Sequence, residues 1–304
     1  MAFTIPARPR AAALVTTAGV ALAILSAGSP AAAQPAPQAP SEPLAILLTN
    51  DDGWNAPGIT AVYDALVAEG HDVTLFAPAT NQSGVGGRAT FGGTLQVAHP
   101  AEGKYSVTGT PADSVEAAMS TVFAADAPDL VISGTNAGQN IAAATVHSGT
   151  VGAAVTALNE GLPAIAVSTE LGSQGTGPYS ATAAFVVDLV TQLEQQRRAG
   201  QPLLPVGLGL NVNYPLVDDG GAPEGVALTK TGTGFLDIID TGTLPAVGAT
   251  STLTIGFDLS PSETVEGADS TALAEDKITI TPITGNYDVD PKPGLLNRLI
   301  AALR

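Results

Sequence analysis

Short unbroken apolar blocks at residues 44–49, 72–77, 129–133, 163–168 and 208–213 alternate with stretches of helical periodicity at 57–69, 148–160 and 179–198. A short, solidly apolar block bounded by turn residues predicts a strand buried on both faces. Helical stretches between such blocks predict the crossovers of a parallel sheet. Pro57 opens the first helix at a position where its missing N–H costs nothing. Thr110-Pro111-Ala112-Asp113 predicts a second, capped helix start. Residues 44–215 are therefore expected to form an α/β core, doubly wound around a mainly parallel sheet.

After Pro215 the pattern changes. Gly, Thr, Asp and Pro become frequent, and the strand-like segments at 225–229, 251–257 and 277–282 are short. Residues 216–304 are expected to be an antiparallel hairpin extension of the same domain. A closing helix at 291–304 would place Leu295, Leu296, Leu299 and Ile300 on one face. No internal repeat is visible.

The first residues follow another logic. Arg8 and Arg10 precede an apolar run at 11–26, and Ala31-Ala32-Ala33 supplies a small-residue cleavage site. Residues 1–33 read as a secretory signal peptide, which predicts an exported protein, periplasmic or extracellular. Pro9 between the two Arg argues against a twin-arginine signal, and the chain has no Cys to carry a lipid anchor. Residues 34–43, rich in Pro and Ala, read as a linker. The domain proper is expected over 44–304.

Aromatic residues are 4% of the chain against 45% hydrophobic, so the core is built mainly from aliphatic side chains. Removing a leader with two Arg and no acid takes the net charge from −17 to −19. Such a chain repels a nucleic acid duplex and an anionic membrane at long range. Neither a duplex partner nor stable membrane anchoring is expected. A bound phosphate would need a local positive element, and helix N-termini and a metal ion are the available suppliers.

Candidate chemistry lies in the loops after the strands. Asn50-Asp51-Asp52-Gly53 follows the first block. Adjacent carboxylates repel unless something compensates them. A hard divalent cation meets that need; a solvated turn is the competing reading. The loop after the second strand offers Asn81 and Ser83, and the loop at 133–140 offers Asn136 and Asn140 among glycines. Ser148-Gly149-Thr150 leads into a helix, where free N–H groups, two hydroxyls and the positive dipole end make a phosphate cradle.

These motifs, in this order, resemble the SurE family of nucleotidases and phosphatases. The matching residues run from Asn50-Asp51-Asp52-Gly53 and Ala56-Pro57-Gly58-Ile59 through Asn81-Gln82-Ser83-Gly84 and Gly109-Thr110-Pro111-Ala112-Asp113. They continue through Asn136-Ala137-Gly138, Asn140, Ser148-Gly149-Thr150-Val151 and Asn211-Val212-Asn213 to Ile280-Thr281-Pro282. The resemblance implies a Rossmann-like, three-layer core and a phosphomonoesterase acting on nucleoside 5′- or 3′-monophosphates or other small phosphate esters. It implies one divalent ion per subunit on Asp51, Asp52, Ser83 and Asn136, with Asp51 and Asp52 central to catalysis. Phosphate contacts fall on Asn140, Ser148, Gly149 and Thr150, and Asn55 falls at a polar active-site position. A homodimer or dimer of dimers is implied as well. Oxygen donors favour Mg²⁺ or Mn²⁺ over Zn²⁺.

The chain departs from the family pattern in two places. Residues 141–147 read Ile-Ala-Ala-Ala-Thr-Val-His, where relatives often carry acids and a Tyr. Asn81-Gln82-Ser83 replaces the frequent Asn-Arg-Ser, leaving Arg88 as the candidate replacement cation. His147 reads as a pocket-wall residue or a leaving-group acid. His71 and His99 read as structural or solvated, and Lys230 as a surface lysine. An aspartyl-phosphate route is disfavoured because Asn50 occupies the position of its nucleophile and Trp54 that of a Thr. A secreted protein that captures a nucleotide or metal without turnover, or a broad acid phosphatase, remains the alternative.

Overall fold

The structure, a computed structural model, describes residues 43–234, 244–253 and 263–286, together with 298, 300 and 301. The expected leader at 1–33, nearly all of the linker, and Leu295, Leu296 and Leu299 of the expected closing helix lie outside the described residues. The fold begins where the first apolar block begins: Pro43 is exposed and Leu44 is fully buried.

The chain runs β1 (Ala45–Thr49), α1 (Pro57–Ala68), β2 (Asp72–Pro78), β3 (Val97–Ala101), β4 (Lys104–Val107), α2 (Pro111–Ser120) and β5 (Leu130–Ala137). It continues with a 3-10 helix (Ala142–His147), α3 (Gly149–Asn159), β6 (Ala164–Thr169), α4 (Tyr179–Arg198) and β7 (Leu208–Tyr214). A short 3-10 turn (Asp218–Gly220), β8 (Val226–Leu228), α5 (Asp269–Leu273) and β9 (Ile278–Thr284) follow. Among the described residues the strands make one sheet in the order β3-β4-β2-β1-β5-β6-β7-β9-β8. No helix among them is long and apolar enough to cross a membrane.

Strand alternation divides the core. Ile46, Leu48, Leu130, Ile132, Ile165 and Val167 face α1 and α4, meeting Ile59, Val62, Leu66, Val186 and Val190. Leu47, Phe76, Val131 and Ala166 face the opposite way, toward Val115 and Ala118 of α2 and Val151, Ala154 and Ala157 of α3. This is the three-layer arrangement expected for the core. Each fully buried aliphatic side chain here contributes roughly 2 kcal/mol by leaving water.

β1 lies between β2 and β5, both parallel to it. The chain leaves β1 toward one side of the sheet and later returns to its other side. The crevice beyond the carboxyl ends of β1 and β5 is thus a topological switch point, where α/β sheets bind ligands. The β1–α1–β2 and β5–α3–β6 crossovers run in opposite directions on opposite faces, so they share one hand. β6–α4–β7 runs in the direction of the second but uses the face of the first, and so has the opposite hand. Hydrophobic patterning carries no information about that reversal.

Three elements differ from expectation. β5 extends through Asn136 and Ala137, which the Gly-rich sequence suggested were loop. Its register with β6 shifts between Ser133 and Asn136. Gly134 sits at the shift with φ +136°, and a Cβ there would collide with the Val167 carbonyl. A β3–β4 antiparallel hairpin, not anticipated, pairs onto β2 through β4. The C-terminal strands run antiparallel to the parallel core, as expected, but among the described residues β8 and β9 do not pair as a hairpin. β9 joins the main sheet antiparallel to β7, and β8 pairs parallel to β9. The long connection from β8 through α5 to β9 permits a parallel pairing that a tight turn would forbid. Of the expected strand at 251–257, only 251–253 are described, and they are not in a strand.

Candidate active site

Asn50 turns the chain at the end of β1. Its Nδ2 donates to the Gly53 carbonyl (3.0 Å) and its Oδ1 accepts from the Gly53 amide (3.2 Å). That Asx turn needs Gly53 at φ +111°, and it fixes the two aspartates between its ends. Asp51 points into the fold and is 3% exposed. Its Oδ1 accepts the Thr150 hydroxyl at 2.7 Å. Burial pushes its pKa up, while the Thr150 hydroxyl and the Thr150 and Gly149 amides pull it down. The first turn of α3 thus offsets part of the cost of burying this carboxylate.

Asp52 is half-buried. Its Oδ2 accepts from the Ala137 amide (2.7 Å) and its Oδ1 from Asn81 Nδ2 (3.2 Å). Burial, with a smaller contribution from the Asp51 charge, raises its pKa to about 6. Asn81 also accepts the Ser83 amide at 2.9 Å, so one side chain positions both Asp52 and the Ser83 loop.

Asp51, Ser83, Asn136, Asn140 and Ser148 line a single cavity of about 360 Å³, with Gly138, Gln139, Ala144 and His147 among the other walls. Asn136 Nδ2 donates to the Gly138 carbonyl (2.6 Å), which leaves Oδ1 as its available acceptor. Asn140 Nδ2 donates to Ser168 Oγ (2.8 Å), leaving one N–H for the cavity. The Asn140 backbone is clamped by β7: its amide donates to Asn213 Oδ1 (2.7 Å) and its carbonyl accepts from Asn211 Nδ2 (2.8 Å). Ser148 caps α3 by accepting the Val151 amide at 3.1 Å, so its own hydroxyl proton is free to donate.

Not every expected residue reaches the cavity. Thr150 is fully buried and spends its hydroxyl on Asp51, so it acts through that carboxylate. Gly149 contributes backbone: a Cβ there would lie 2.8 Å from Asp51 Cβ and 2.9 Å from its Oδ2. Asn55 is exposed and is not among the cavity walls. Arg88 is not among them either; it lines a separate polar cavity with Thr80, Thr90 and Thr108. His147 is exposed at the cavity wall. His71 is buried and accepts the Leu44 amide through Nδ1 (3.3 Å), His99 stacks on Tyr105, and Lys230 is exposed, donating to the Glu266 carbonyl. Asn50, Asn81, Asn211 and Asn213 hold the site in place. Their motifs were visible in the sequence; their partners were not.

The donor set fits a hard divalent cation. Asp51, Ser83 Oγ and Asn136 Oδ1 on the cavity wall are all oxygen; Asp52 is not itself among the walls but is bonded to the amide of the wall residue Ala137, and no Lys or Arg is among the described residues that line the cavity. Among the described residues there is no cluster of three or more His, Cys, Asp or Glu, so neutral oxygens would have to complete the shell.

The raised pKa has a consequence for the metal-free protein. Between pH 6 and the ordinary carboxylate pKa of 3.8, folded Asp52 holds a proton that the unfolded chain has lost. Its contribution to stability therefore falls as pH rises through that window and stays at its lower value above it. Asp52→Asn is expected to raise the denaturation midpoint of chelated protein at pH 7.5 and to leave it almost unchanged near pH 4. Equal midpoints at pH 7.5 would contradict this.

Comparison with known proteins agrees with this geometry. The family model described as Survival protein SurE matches residues 46–236. The chain is 35% identical over 253 residues to the 5′-nucleotidase SurE of Methylocella silvestris, covering 82% of this chain and 96% of that one. It is 38% identical over 244 residues to the 5′-nucleotidase SurE of Syntrophobacter fumaroxidans, covering 78% and 92%. The crystal structure of the SurE protein from Aquifex aeolicus superposes with a TM-score of 0.69 at 27% identity, over 85% of this chain and 99% of that one. With the matched region taking in every wall of the cavity, the chain belongs to the SurE family.

Proposed function

We propose that this chain is a divalent-metal phosphomonoesterase that hydrolyses nucleoside 5′- or 3′-monophosphates to nucleoside and phosphate. The relatives named as 5′-nucleotidases make it a phosphoric monoester hydrolase. The observation that carries the finer reading is the meeting, in one cavity, of the Asp51 carboxylate, the Ser83 and Asn136 oxygens and the N-terminus of α3.

Asp51, Asp52, Ser83 and Asn136 would hold the ion. When bound, it supplies Lewis-acid polarisation of the phosphoryl group and acidifies water. The chain's own residues do the rest. The Ser148 hydroxyl and the remaining Asn140 N–H donate to phosphoryl oxygens, and the dipole of α3 favours the charge that builds there. The Thr150 hydroxyl favours the ionised form of Asp51 against the effect of burial and fixes the carboxylate's orientation. Ala144, Gly138 and Gln139 bound the space left for the leaving group, with His147 on its rim.

Thr150→Ala removes the hydroxyl that lowers the pKa of Asp51. That pKa should rise further, and the acid limb of the kcat/KM profile should move to higher pH. The activity lost at pH 6 should exceed that lost at pH 8. A uniform loss across pH would show that Thr150 does not act through Asp51.

The resemblance supports a homodimer or dimer of dimers, and the leader-like pattern of residues 1–33 supports export. The substrate reading is tested by phosphate release from 5′- and 3′-mononucleotides beside simple aryl phosphates. Preference for the nucleotides supports it. Equal turnover of every ester makes the protein a broad phosphatase, and nucleotide binding without release makes it a capture protein.

A further inference from the structure

We propose that Asp269, the first residue of α5, is a positioning residue for the cavity: it sets the backbone from Ala142 to Ser148 and so places the wall that meets the phosphate ester. The proposal rests on the reading of this cavity as the esterase site.

The Asp269 side chain is fully buried and gathers backbone amides from three segments of the chain. The Ala142 amide donates to Oδ1 (3.1 Å) and Oδ2 (3.2 Å), the Gly232 amide to Oδ1 (2.9 Å), and the Ser270 amide to Oδ1 (2.8 Å). No cation faces this carboxylate in an ion pair among the described residues. Its charge is met by amides alone, and burial raises its pKa. A buried carboxylate is a costly way to join two loops, so what it holds is informative.

What it holds is strained. Ala142 has φ +48°, a region that residues with a Cβ rarely adopt. Such a conformation persists only where its surroundings enforce it, and Asp269 supplies that enforcement across 127 residues of sequence. From Ala142 the backbone runs as one 3-10 helix to His147 and ends on Ser148, the N-cap of α3. Ala144, His147 and Ser148 line the cavity. A 3-10 helix has poor hydrogen-bond geometry and seldom runs past four residues, so one of six needs support from outside. Its other ties are few: the Ala143 amide to the Gly234 carbonyl (3.3 Å), the Thr145 hydroxyl to the Asn140 carbonyl (3.3 Å) and the Gly86 amide to the His147 carbonyl (2.9 Å). The C-terminal part of the chain therefore shapes the phosphate-side wall through one carboxylate.

The carboxylates of the metal set lie elsewhere. Asp51 and Asp52 bond to α3, Asn81 and Ala137, and none of their bonds involves Asp269. Loss of Asp269 should therefore separate ester handling from metal binding, which general unfolding does not do.

The test uses the full chain, with kcat and KM for a mononucleotide measured below the melting temperature of each variant and Mn²⁺ affinity measured by calorimetry. Asp269→Asn keeps one carbonyl oxygen for the amides but loses the second acceptor and the charge. Because misplacement of a substrate-facing wall costs up to about a hundredfold, it is expected to lower kcat/KM by roughly tenfold or more while Mn²⁺ affinity stays within about twofold. Adding Ala142→Gly to Asp269→Asn should recover part of the loss, because glycine adopts φ +48° without being held there. Wild-type kcat and KM in folded Asp269→Asn would overturn the proposal, as would a parallel loss of Mn²⁺ affinity that Ala142→Gly fails to relieve. If the wild-type protein itself releases no phosphate in the same assay, the esterase reading of the cavity fails instead.

Discussion

Asp51→Asn and Asp52→Asn are each expected to lower phosphate release more than about a hundredfold while leaving the fold intact. Loss of an outer-shell partner already costs ten- to a hundredfold in metal affinity or activity, and these two residues are the carboxylates of the site itself. The variants differ in how they fail. Asp51 faces the Thr150 hydroxyl and the amides that begin α3, all of them donors. An amide in its place has one acceptor atom for that group of donors and turns its own N–H₂ against the rest. Asp52 accepts from Ala137 and Asn81 with one oxygen each, so Asp52→Asn loses one of those bonds along with the charge. Phosphate-release rates with circular dichroism as the fold control decide the matter. Near wild-type turnover in both variants would reduce the aspartate pair to a turn.

Gly149→Ala should be almost as damaging, although it alters no polar group. On propensity alone alanine suits a helix better than glycine. Here its methyl would lie 2.8 Å from Asp51 Cβ, 2.9 Å from Asp51 Oδ2 and 3.2 Å from Pro111 Cγ. Pro111 is pinned in the capped start of α2, where Thr110 and Asp113 exchange bonds, so Asp51 is the group that must give way. A displacement approaching 1 Å at a reacting centre costs on the order of a hundredfold. The expected result is a folded protein with about that loss in kcat/KM and weakened metal affinity. Full activity would show that Asp51 tolerates a shift the account forbids.

How much of this was legible depends on where each signal lies. The buried parallel strands were readable because a strand covered on both faces must be apolar throughout, and β1, β2, β6 and β7 begin within a residue of their apolar blocks. β3 was not readable: Val97–Ala101 is exposed along its whole length, so backbone pairing to β4 is what orders it. The end of β5 reads as loop because Ser-Gly-Thr-Asn has turn composition, yet Gly134 lets the strand slip register and continue to Ala137. In the site, Asp51, Ser83, Asn136, Asn140 and Ser148 are legible together because each lies at the end of a strand, in the loop after it or at a helix cap, all at the same end of the sheet. The role of Thr150 could not, since its hydroxyl finds Asp51 only after folding, 99 residues away in sequence. Asp269 left no local mark at all. It lies in a short helix, and its significance comes from two distant amides, those of Ala142 and Gly232.

The most direct test of the central claim is a titration of chelated protein with Mg²⁺ or Mn²⁺, following 5′-mononucleotide hydrolysis and heat of binding together. The account predicts no turnover before addition, one ion bound per chain, and activity that rises in step with occupancy; Asp52→Asn should lose both responses. Undiminished phosphate release from the chelated protein, or ion binding that Asp52→Asn leaves unchanged, would contradict it.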